Sequence, residues 1–295
     1  MFLVLRITTR WSAGGYLSHF IFHQSGLLNG LCLQIERLAK GKSMQTAYSF
    51  FDLPYVVQKV TSQKGYRLTE RELDVLEFVL EMKFSTLEDL HAKFFKVTKL
   101  GTVSNSLIWA RQRVHKLVKS EMLQILTDVC ARPLYVITQK GYLFLRNSRS
   151  QKNYCRPLLD VDGRFFDHDQ RVAQVRIVLE NSGVVKEWIS ERQLSEIDEY
   201  RKCLPTEFRP DAIYVTPEGK RVAFELEIAR KTKERYQQKV KRYIHMMTAA
   251  PDAERLFEEV HYVCEKEAVW NLIQDHTQLF QPLFRFTMLS EVLGE

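Results

Sequence analysis

Three acidic side chains in the C-terminal half of the chain have the spacing of one shared site. Asp211 stands at the start of the apolar run AIYV, and Glu225 and Glu227 lie two residues apart in the run VAFELE. Side chains of a strand alternate between its faces, so Glu225 and Glu227 point to one side while Phe224 and Leu226 point into the core. Carboxylates this close repel one another unless a cation compensates them. A hard divalent ion such as Mg²⁺ is the natural cation for such a group.

A hairpin turn is expected to bring Asp211 to the other two acids. The loop Pro217–Gly219 has Gly in the left-handed position that this hairpin type requires, so Thr216 and Lys220 close it. Counting back along the two strands sets Asp211 directly opposite Glu225. The alternative is an exposed strand face whose acids are balanced by nearby cations. Those cations are Lys220, Arg221 and Lys231.

The segment after the second strand, KTKERYQQKVKRYIHMM, predicts a helix. Aromatic and apolar residues recur in it at helical spacing, and we expect them to pack. This stripe is Tyr236, Val240, Tyr243, Ile244 and Met247. The basic residues of the helix are expected to face solvent. They are Lys233, Lys239, Lys241 and Arg242.

Residues 66–147 have the pattern of three short helices followed by two β-rich runs. Thr69 with Glu72, and Ser85 with Glu88, have the spacing of capping boxes that start the first two helices. We expect a third helix from near Ser104, followed by the β-rich runs LQILTDV and PLYVITQKGYLFLRN. Three helices and a hairpin form a winged helix-turn-helix domain, whose third helix enters the major groove of DNA.

Positive charge is concentrated where such a domain would contact phosphates. The chain has 43 Lys and Arg against 36 Asp and Glu, and the excess lies in residues 1–150. The N-terminal part of the third helix would face base edges. The candidate DNA-binding residues are Ser104, Asn105, Ser106, Arg111, Arg113, Lys116, Lys119 and Lys140. The alternative is a set of solvated positions on an ordinary helix of a protein-interaction domain.

From residue 165 onward the predicted order is helix, three strands, helix, strand, helix and strand. With Pro210-Asp211 on one strand and Glu225-Leu226-Glu227 on the next, this order resembles the PD-(D/E)XK, or restriction-endonuclease-like, fold. More closely, a winged helix followed by RPDAIYV and FELEIARKTKERYQQKVKRY is similar to the plasmid replication-relaxation family of bacterial mobile elements. The recurrent feature of that family extends here from Phe224 to Tyr236.

The resemblance implies roles for these side chains. In a nuclease-like enzyme, Asp211 and Glu225 would be ligands of Mg²⁺. The third motif position is normally Lys, which orients and helps to deprotonate the attacking water, and here it is Glu227, which would act as a general base or an additional ligand. Lys231 would supply the missing positive charge by turning back from the start of the next helix. The candidate catalytic residues are therefore Asp211, Glu225, Glu227 and Lys231.

The first helix of the C-terminal region offers three further side chains. Asp169 or Glu180 would add a metal ligand, as in some nucleases of this fold, and the alternative is that each is a surface charge. His168 is the one histidine near the supposed site. A lone histidine is more often a capping or packing residue than a base.

The expected architecture is α/β and α+β in two domains. Residues 1–65 are an N-terminal extension, in which the sequence before Met44 has no folded role. Residues 66–147 form the winged helix, residues 148–164 a linker and residues 165–295 the nuclease-like α/β domain. A length of 295 residues suits two domains of ordinary size.

Composition excludes several classes of protein. The fractions of 45% apolar and 27% charged residues are ordinary for globular chains. The five cysteines have no C-x-x-C spacing, which argues against a disulfide framework or zinc site and predicts a reducing, cytoplasmic setting. The uncharged run from Trp11 to Ile35 is interrupted by polar residues, so we expect no membrane span. The sequence has no P-loop, dinucleotide-binding or zincin motif, and no Ser-His-Asp order.

Three functions remain open. The first is a DNA-binding protein of a bacterial mobile element or plasmid, of the replication, relaxation or mobilisation type, whose nuclease-like domain holds the strand or recruits partners. The second is a Mg²⁺-dependent DNA endonuclease or nickase, and the third is a winged-helix transcriptional regulator. The expected partner is double-stranded DNA. A second copy of the chain and other plasmid-mobilisation proteins are further candidates.

Overall fold

The structure, a computed structural model, describes the backbone of Phe2–Arg10 and Tyr16–Gln24 and residues 67–97, 101–127, 132–158, 160–205, 208–249 and 255–295. The chain divides into two compact units, residues 1–65 and 66–295. In the first unit, strands β1 (Phe2–Arg10) and β2 (Tyr16–Gln24) pair antiparallel. The expectation about the sequence before Met44 stays a prediction, since Met44 lies outside the described residues. Within the described residues, no helix combines the length and the apolar character that a membrane span needs.

The N-terminal part of the second unit is largely helical, and its elements pack around a two-stranded hairpin. In chain order they are α1 (Glu70–Glu81), α2 (Leu87–Leu90), a π-helical turn (His91–Phe95), α3 (Ile108–Lys119), β3 (Leu123–Leu126), β4 (Leu134–Ile137) and α4 (Gln139–Ser148). Strands β3 and β4 pair antiparallel. Ser85 and Tyr135 form an additional antiparallel bridge, with N–H to O distances of 3.0 and 2.9 Å, so the segment between α1 and α2 lies beside the hairpin.

Side-chain caps mark the start of α1 and of α2. The capping box of Thr69 and Glu72 is confirmed, but the second box is formed by Thr86 and Asp89, one residue later than the predicted pair. Ser85 is instead used in the bridge to the hairpin, and backbone pairing of this residue moves the cap along the chain.

Two predicted boundaries around the hairpin are wrong. Helix α3 begins at Ile108 and not near Ser104, because the hydroxyls of Ser104 and Ser106 accept backbone N–H groups two residues ahead of each and hold a turn there. The second β-rich run ends at Ile137. Thr138 accepts the N–H of Gly141 at 3.0 Å and starts a helix in the rest of that run.

The C-terminal part has helices on both faces of one sheet. Its elements are α5 (Phe166–Asn181), β5 (Glu187–Ser190), α6 (Glu191–Glu196), α7 (Asp198–Arg201), β6 (Ala212–Val215), β7 (Arg221–Glu227), α8 (Lys233–Ala249), β8 (Glu259–Cys264), α9 (Glu267–Thr277), β9 (Phe284–Met288) and α10 (Leu289–Leu293). The predicted order of helices and strands is confirmed, with the short helices α6, α7 and α10 in addition. The strand order is β5-β6-β7-β8-β9; β5, β6 and β7 are antiparallel, and β7, β8 and β9 are parallel. The fold is therefore mixed α/β.

Each face of the sheet has its own apolar core. The first core continues without interruption into the helical part, because Leu76 of α1, Leu117 of α3 and Val175 of α5 belong to the same cluster as Phe224 and Leu226 of β7. The second core lies under α8 and α9. It contains Ile213, Ala223, Tyr236, Val240, Tyr243, Met247, Tyr262 and Ile273. Strand β7, in the middle of the sheet, is thus covered on both sides.

Two buried arginines join the helical part to the sheet part. Arg176 of α5 contacts the Glu81 carboxylate at 2.8 Å, and its guanidinium lies 4.9 Å from the ring centroid of Phe78. Arg192 of α6 donates to the carbonyl oxygen of Leu80 at 2.6 Å. Cys155, in the segment predicted to be a linker, is buried in the shared core. These contacts fix α1 against α5 and α6.

Replacing Gly141 with Ala should disrupt the packing of α4 against the β3–β4 hairpin. A Cβ atom there would lie 2.1 Å from the carbonyl oxygen of Met122, which is backbone and cannot rotate away. We expect Gly141→Ala to lower the free energy of unfolding by about 2–3 kcal/mol, which exceeds the gain of about 1 kcal/mol from the helix propensity of Ala. Chemical denaturation measures the change. Leu143→Ala, at an exposed position of the same helix, is the control, and equal stabilities of the two variants would contradict the packing.

Candidate carboxylate site and DNA-facing helix

The turn between β6 and β7 sets the register of the acidic residues. Gly219 has φ +90°, the left-handed conformation that Gly adopts without strain, and the Thr216 N–H donates to the Lys220 carbonyl at 2.9 Å. Ala212 pairs with Phe224, so the preceding Asp211 lies opposite Glu225. The predicted loop closure and register are confirmed.

Asp211 is held by one backbone group and one histidine. The Leu226 N–H donates to its Oδ2 at 2.8 Å, and Nε2 of His168 lies 3.3 Å from the same oxygen. Burial alone would raise the pKa of Asp211, but the hydrogen bond and charge of His168, the charge of Lys239 and the Leu226 N–H outweigh it and lower the pKa to about 2. Asp211 is therefore a stably ionised carboxylate.

His168 bridges two carboxylates. Its second ring nitrogen, Nδ1, lies 3.6 Å from Oδ1 of Asp169. The Lys83 ammonium forms an ion pair with the same oxygen at 2.8 Å. Burial disfavours the imidazolium, but the hydrogen bonds and charges of Asp169 and Asp211 prevail and raise the pKa of His168 to about 10. His168 is thus a fixed cation of the site, a role that the sequence did not indicate.

Asp169 and Glu180, the two further acids of α5, form ion pairs with residues that do not belong to β7. The Asp169 side chain is 13% exposed and is bound by Lys83. Glu180 pairs with Lys93 and, at 3.0 Å, with Arg176. Neither is an open surface charge, and Glu180 belongs to the ion pairs between α1 and α5.

Glu225 and Glu227 lie on the sheet face that α8 covers. Phe224 and Leu226 point into the first core, as predicted, and each glutamate is 1% exposed. The alternative of an exposed strand face is therefore wrong for these two residues. Helix α8 lies above them because its apolar stripe packs into the second core.

Lys239 is the cation that the sequence interpretation missed. Its ammonium donates to Oε2 of Glu225 and, at 3.1 Å, to Oε1 of Glu227, so it is not the solvent-facing residue that we expected. Burial disfavours the ammonium, but the charges of Glu225 and Glu227 hold the pKa of Lys239 well above its ordinary value. Its spacing of three and four residues from Tyr236 and Tyr243, both packed, was the available signal.

Tyrosine hydroxyls complete the glutamate environment. The Tyr243 hydroxyl donates to Oε1 of Glu225, and the Tyr236 hydroxyl donates to Oε2 of Glu227 at 3.4 Å. Burial raises the pKa of Glu225 to about 7 even though the Lys239 ammonium favours its carboxylate. Burial likewise raises the pKa of Tyr236 to about 12, so its hydroxyl remains a donor.

Lys231 turns back onto β7 as its position suggested. Its ammonium lies 2.8 Å from Oε2 and 3.1 Å from Oε1 of Glu227, and its side chain is 37% exposed. Glu227 is therefore paired with two lysines, the half-buried Lys239 and the more exposed Lys231. The structure joins Glu225, Glu227 and Lys231 with Lys239 in one group of ion pairs, and Asp211 lies opposite Glu225 on the neighbouring strand.

This arrangement does not fit Mg²⁺. The ion requires near-octahedral oxygen ligands at about 2.0–2.1 Å. Both carboxylate oxygens of Glu225 and of Glu227 already accept hydrogen bonds from Lys or Tyr side chains. Among the described residues, no group of three or more His, Cys, Asp and Glu is arranged to hold a metal ion.

A cleft opens beside the site. Its volume is about 690 Å³, and Ile228, the residue after Glu227, lines it together with Arg132, Arg171 and Glu265. It lies past the ends of the parallel strands β7 and β8, where ligands of open α/β sheets bind.

The candidate DNA-binding residues other than Lys140 lie along one segment, residues 104–119. Ser104 is partly exposed, while Asn105 and Ser106 are exposed and precede α3. The basic side chains Arg111, Arg113, Lys116 and Lys119 are exposed or half-buried along α3, and Lys140 is exposed in the first turn of α4. Ala110, Val114 and Leu117 form the buried stripe of α3.

Apolar side chains stand next to this basic surface. Val103, Ile108 and Trp109 are exposed by 63, 58 and 61%. The sequence interpretation did not assign them to the surface, because their apolar character favours burial.

Comparison with known proteins found no similar protein. No protein-family model matches the chain, and neither do any curated proteins or solved structures.

The charge of His168 should make the stability of the fold depend on pH. A folded-state pKa of about 10, above the ordinary value of 6.5, means that the imidazolium contribution is complete below pH 6.5 and is lost as the pH rises through 10. The loss of unfolding free energy in His168→Gln should therefore be largest near pH 6 and shrink toward pH 10. Urea unfolding across this range measures it. His115→Gln, at an exposed position of α3, is the control, and a difference independent of pH would refute the charged histidine.

Proposed function

We propose that the protein is a DNA-binding protein of the replication-relaxation type of bacterial mobile elements, in which residues 66–147 act as a winged helix on duplex DNA. The observation that carries this proposal is α3. Its apolar stripe is buried in the core, and Arg111, Arg113 and Lys119 stand exposed on its outer side. A helix fixed from behind with a basic outer face suits the major groove and its phosphates.

The hairpin supports the same interpretation. Strands β3 and β4 follow α3 directly, and the Ser85 bridge adds the segment between α1 and α2 to their edge. In a winged helix the hairpin lies beside the recognition helix and contacts the DNA backbone. Lys140, just after β4, is placed for such a contact and pairs with Glu121 at 2.8 Å.

The existing ion pairs engage two of the basic residues of α3. Glu72, whose side chain is only 2% exposed, pairs with Lys116 at 3.0 Å and with Arg113 at 3.6 Å. Removing both cations would leave a buried carboxylate unpaired, so these two residues are less available to phosphates. Arg111 and Lys119, at opposite ends of α3, are therefore the clearest candidates for phosphate contacts.

A Mg²⁺-dependent nuclease or nickase is the second candidate. The favouring observation is the sheet, whose antiparallel β5, β6 and β7 continue through α8 into parallel β8, with Asp211 opposite Glu225. This order supports the PD-(D/E)XK-like interpretation of residues 165–295. Lys239 between the glutamates weighs against metal-dependent cleavage and favours a sheet part that holds DNA or recruits partners.

Removing two charges of α3 should weaken duplex binding. For Arg111→Ala/Lys119→Ala we expect at least about a tenfold loss of affinity, and a slope of log K against log salt that is shallower by about 2, since each phosphate contact contributes about 0.9. Fluorescence anisotropy on a labelled duplex at several salt concentrations measures both. Lys233→Ala/Lys241→Ala removes the same charge from α8 and should leave both quantities unchanged. Equal effects of the two double variants would contradict specific use of α3.

Cleavage separates the two candidates. Supercoiled plasmid and labelled single- and double-stranded DNA, incubated with Mg²⁺, Mn²⁺ or EDTA, should remain intact while the duplex is bound equally in all three. Metal-dependent nicking that disappears in Asp211→Ala/Glu225→Ala would establish the nuclease instead.

A further inference from the structure

An exposed tryptophan lies at the start of the helix proposed to contact DNA. Trp109 is the second residue of α3, and 61% of its surface is exposed. Within the part of the chain that the structure describes, its indole forms no hydrogen bond, ring contact or cation–π contact. Because a large aromatic side chain is ordinarily buried for the most part, the open indole ring of Trp109 indicates an interaction surface.

Three further apolar side chains extend this surface. Ile108, the residue before Trp109, is 58% exposed. Val97 and Val103 are 55 and 63% exposed, and they form an antiparallel bridge in the segment before α3. Partners in such a bridge have their side chains beside one another. These four residues are called the α3 apolar surface below.

The charge around the α3 apolar surface selects the kind of partner. Residues 96–119 contain six Lys or Arg and neither Asp nor Glu. Lys96 is exposed next to Val97, and Arg111 is exposed two residues after Trp109. A second copy of the chain docked here would bring the same cations against these, and like charges repel. A partner that combines negative charge with flat apolar faces fits instead, and a nucleic acid with accessible bases has both.

We infer that Trp109 stacks on an unpaired base, so that the chain binds DNA where a duplex adjoins a single strand. The inference rests on the proposed function, since α3 must contact DNA. In a duplex the faces of the bases are covered by their neighbours, and only the base edges reach the grooves. A base that has left the duplex offers its face to an aromatic side chain. Arg111 and Lys119 would hold the adjoining duplex by its phosphates.

The test compares three labelled DNAs by fluorescence anisotropy. They are a blunt duplex, the same duplex with a single-stranded tail, and the tailed duplex with abasic sites throughout the tail. The abasic tail keeps the phosphates and removes only the bases. We expect the wild type to bind the intact tail about tenfold more tightly than the abasic tail, which is the contribution of one stacked base.

Variants of Trp109 separate stacking from burial of apolar surface. Trp109→Leu keeps an apolar side chain without the ring, so it should bind the intact and abasic tails equally. Its affinity for the blunt duplex and its salt dependence should match the wild type, because no charge is lost. Trp109→Phe should keep most of the preference. Phe165→Ala removes an exposed ring just before α5 and, as the control, should leave the preference unchanged.

Tryptophan fluorescence gives a second readout of the same contact. Stacking on a base quenches indole emission. The intact tail should therefore quench the emission of the wild type more than that of Trp109→Phe, and the abasic tail should quench both proteins equally.

Two outcomes overturn the inference and leave the proposed function in place. They are equal affinity of the wild type for the intact and abasic tails, and a preference for the intact tail that persists in Trp109→Leu. A wild-type dimer that becomes a monomer in Trp109→Leu, with no preference for bases, would assign the α3 apolar surface to a second copy. Absence of blunt-duplex binding by the wild type would contradict the proposed function, and the inference with it.

Discussion

Two carboxylates buried in the middle of a sheet are the constraint that organises this fold. Strand β7 is the third of five strands, and it carries Glu225 and Glu227 where water does not reach them. An isolated buried charge costs several kcal/mol, so these residues require cations and hydroxyl donors in place. Helix α8 supplies them through Lys239, Tyr236 and Tyr243. The helix must therefore cross β7 at one register.

The same constraint extends through Asp211 to the helical part. Asp211 is fixed by the backbone of β7 and by His168, and His168 is fixed in turn by Asp169, which binds Lys83 from the segment after α1. Alternating acidic and basic groups thus run from the centre of the sheet to the first helices. Each charged group in this series has a neighbour of opposite charge, and this pairing compensates the cost of burying the groups away from water.

Local patterns predicted much of this arrangement. The turn at Gly219 and strict strand alternation were enough to set Asp211 opposite Glu225 and to place both glutamates on one face, because both rules act over a few residues. What covers that face depends on how the following helix docks, because Lys239 lies 14 residues after Glu225 and 12 residues after Glu227. Lys239 therefore looked like a surface lysine, and the cap at Thr86 was misplaced because Ser85 pairs with distant Tyr135. Non-local pairing is what a single sequence reveals least.

The uninterrupted first core has a thermodynamic consequence. Since side chains of α1, α3, α5 and β7 share one cluster, the helical part cannot lose its packing without exposing the sheet, and the two parts should unfold in a single cooperative step. Binding energy gained at the surface of α3 is then distributed over that whole unit. A ligand on the basic helix would slow hydrogen exchange in the amides of β7, far from any contact it makes.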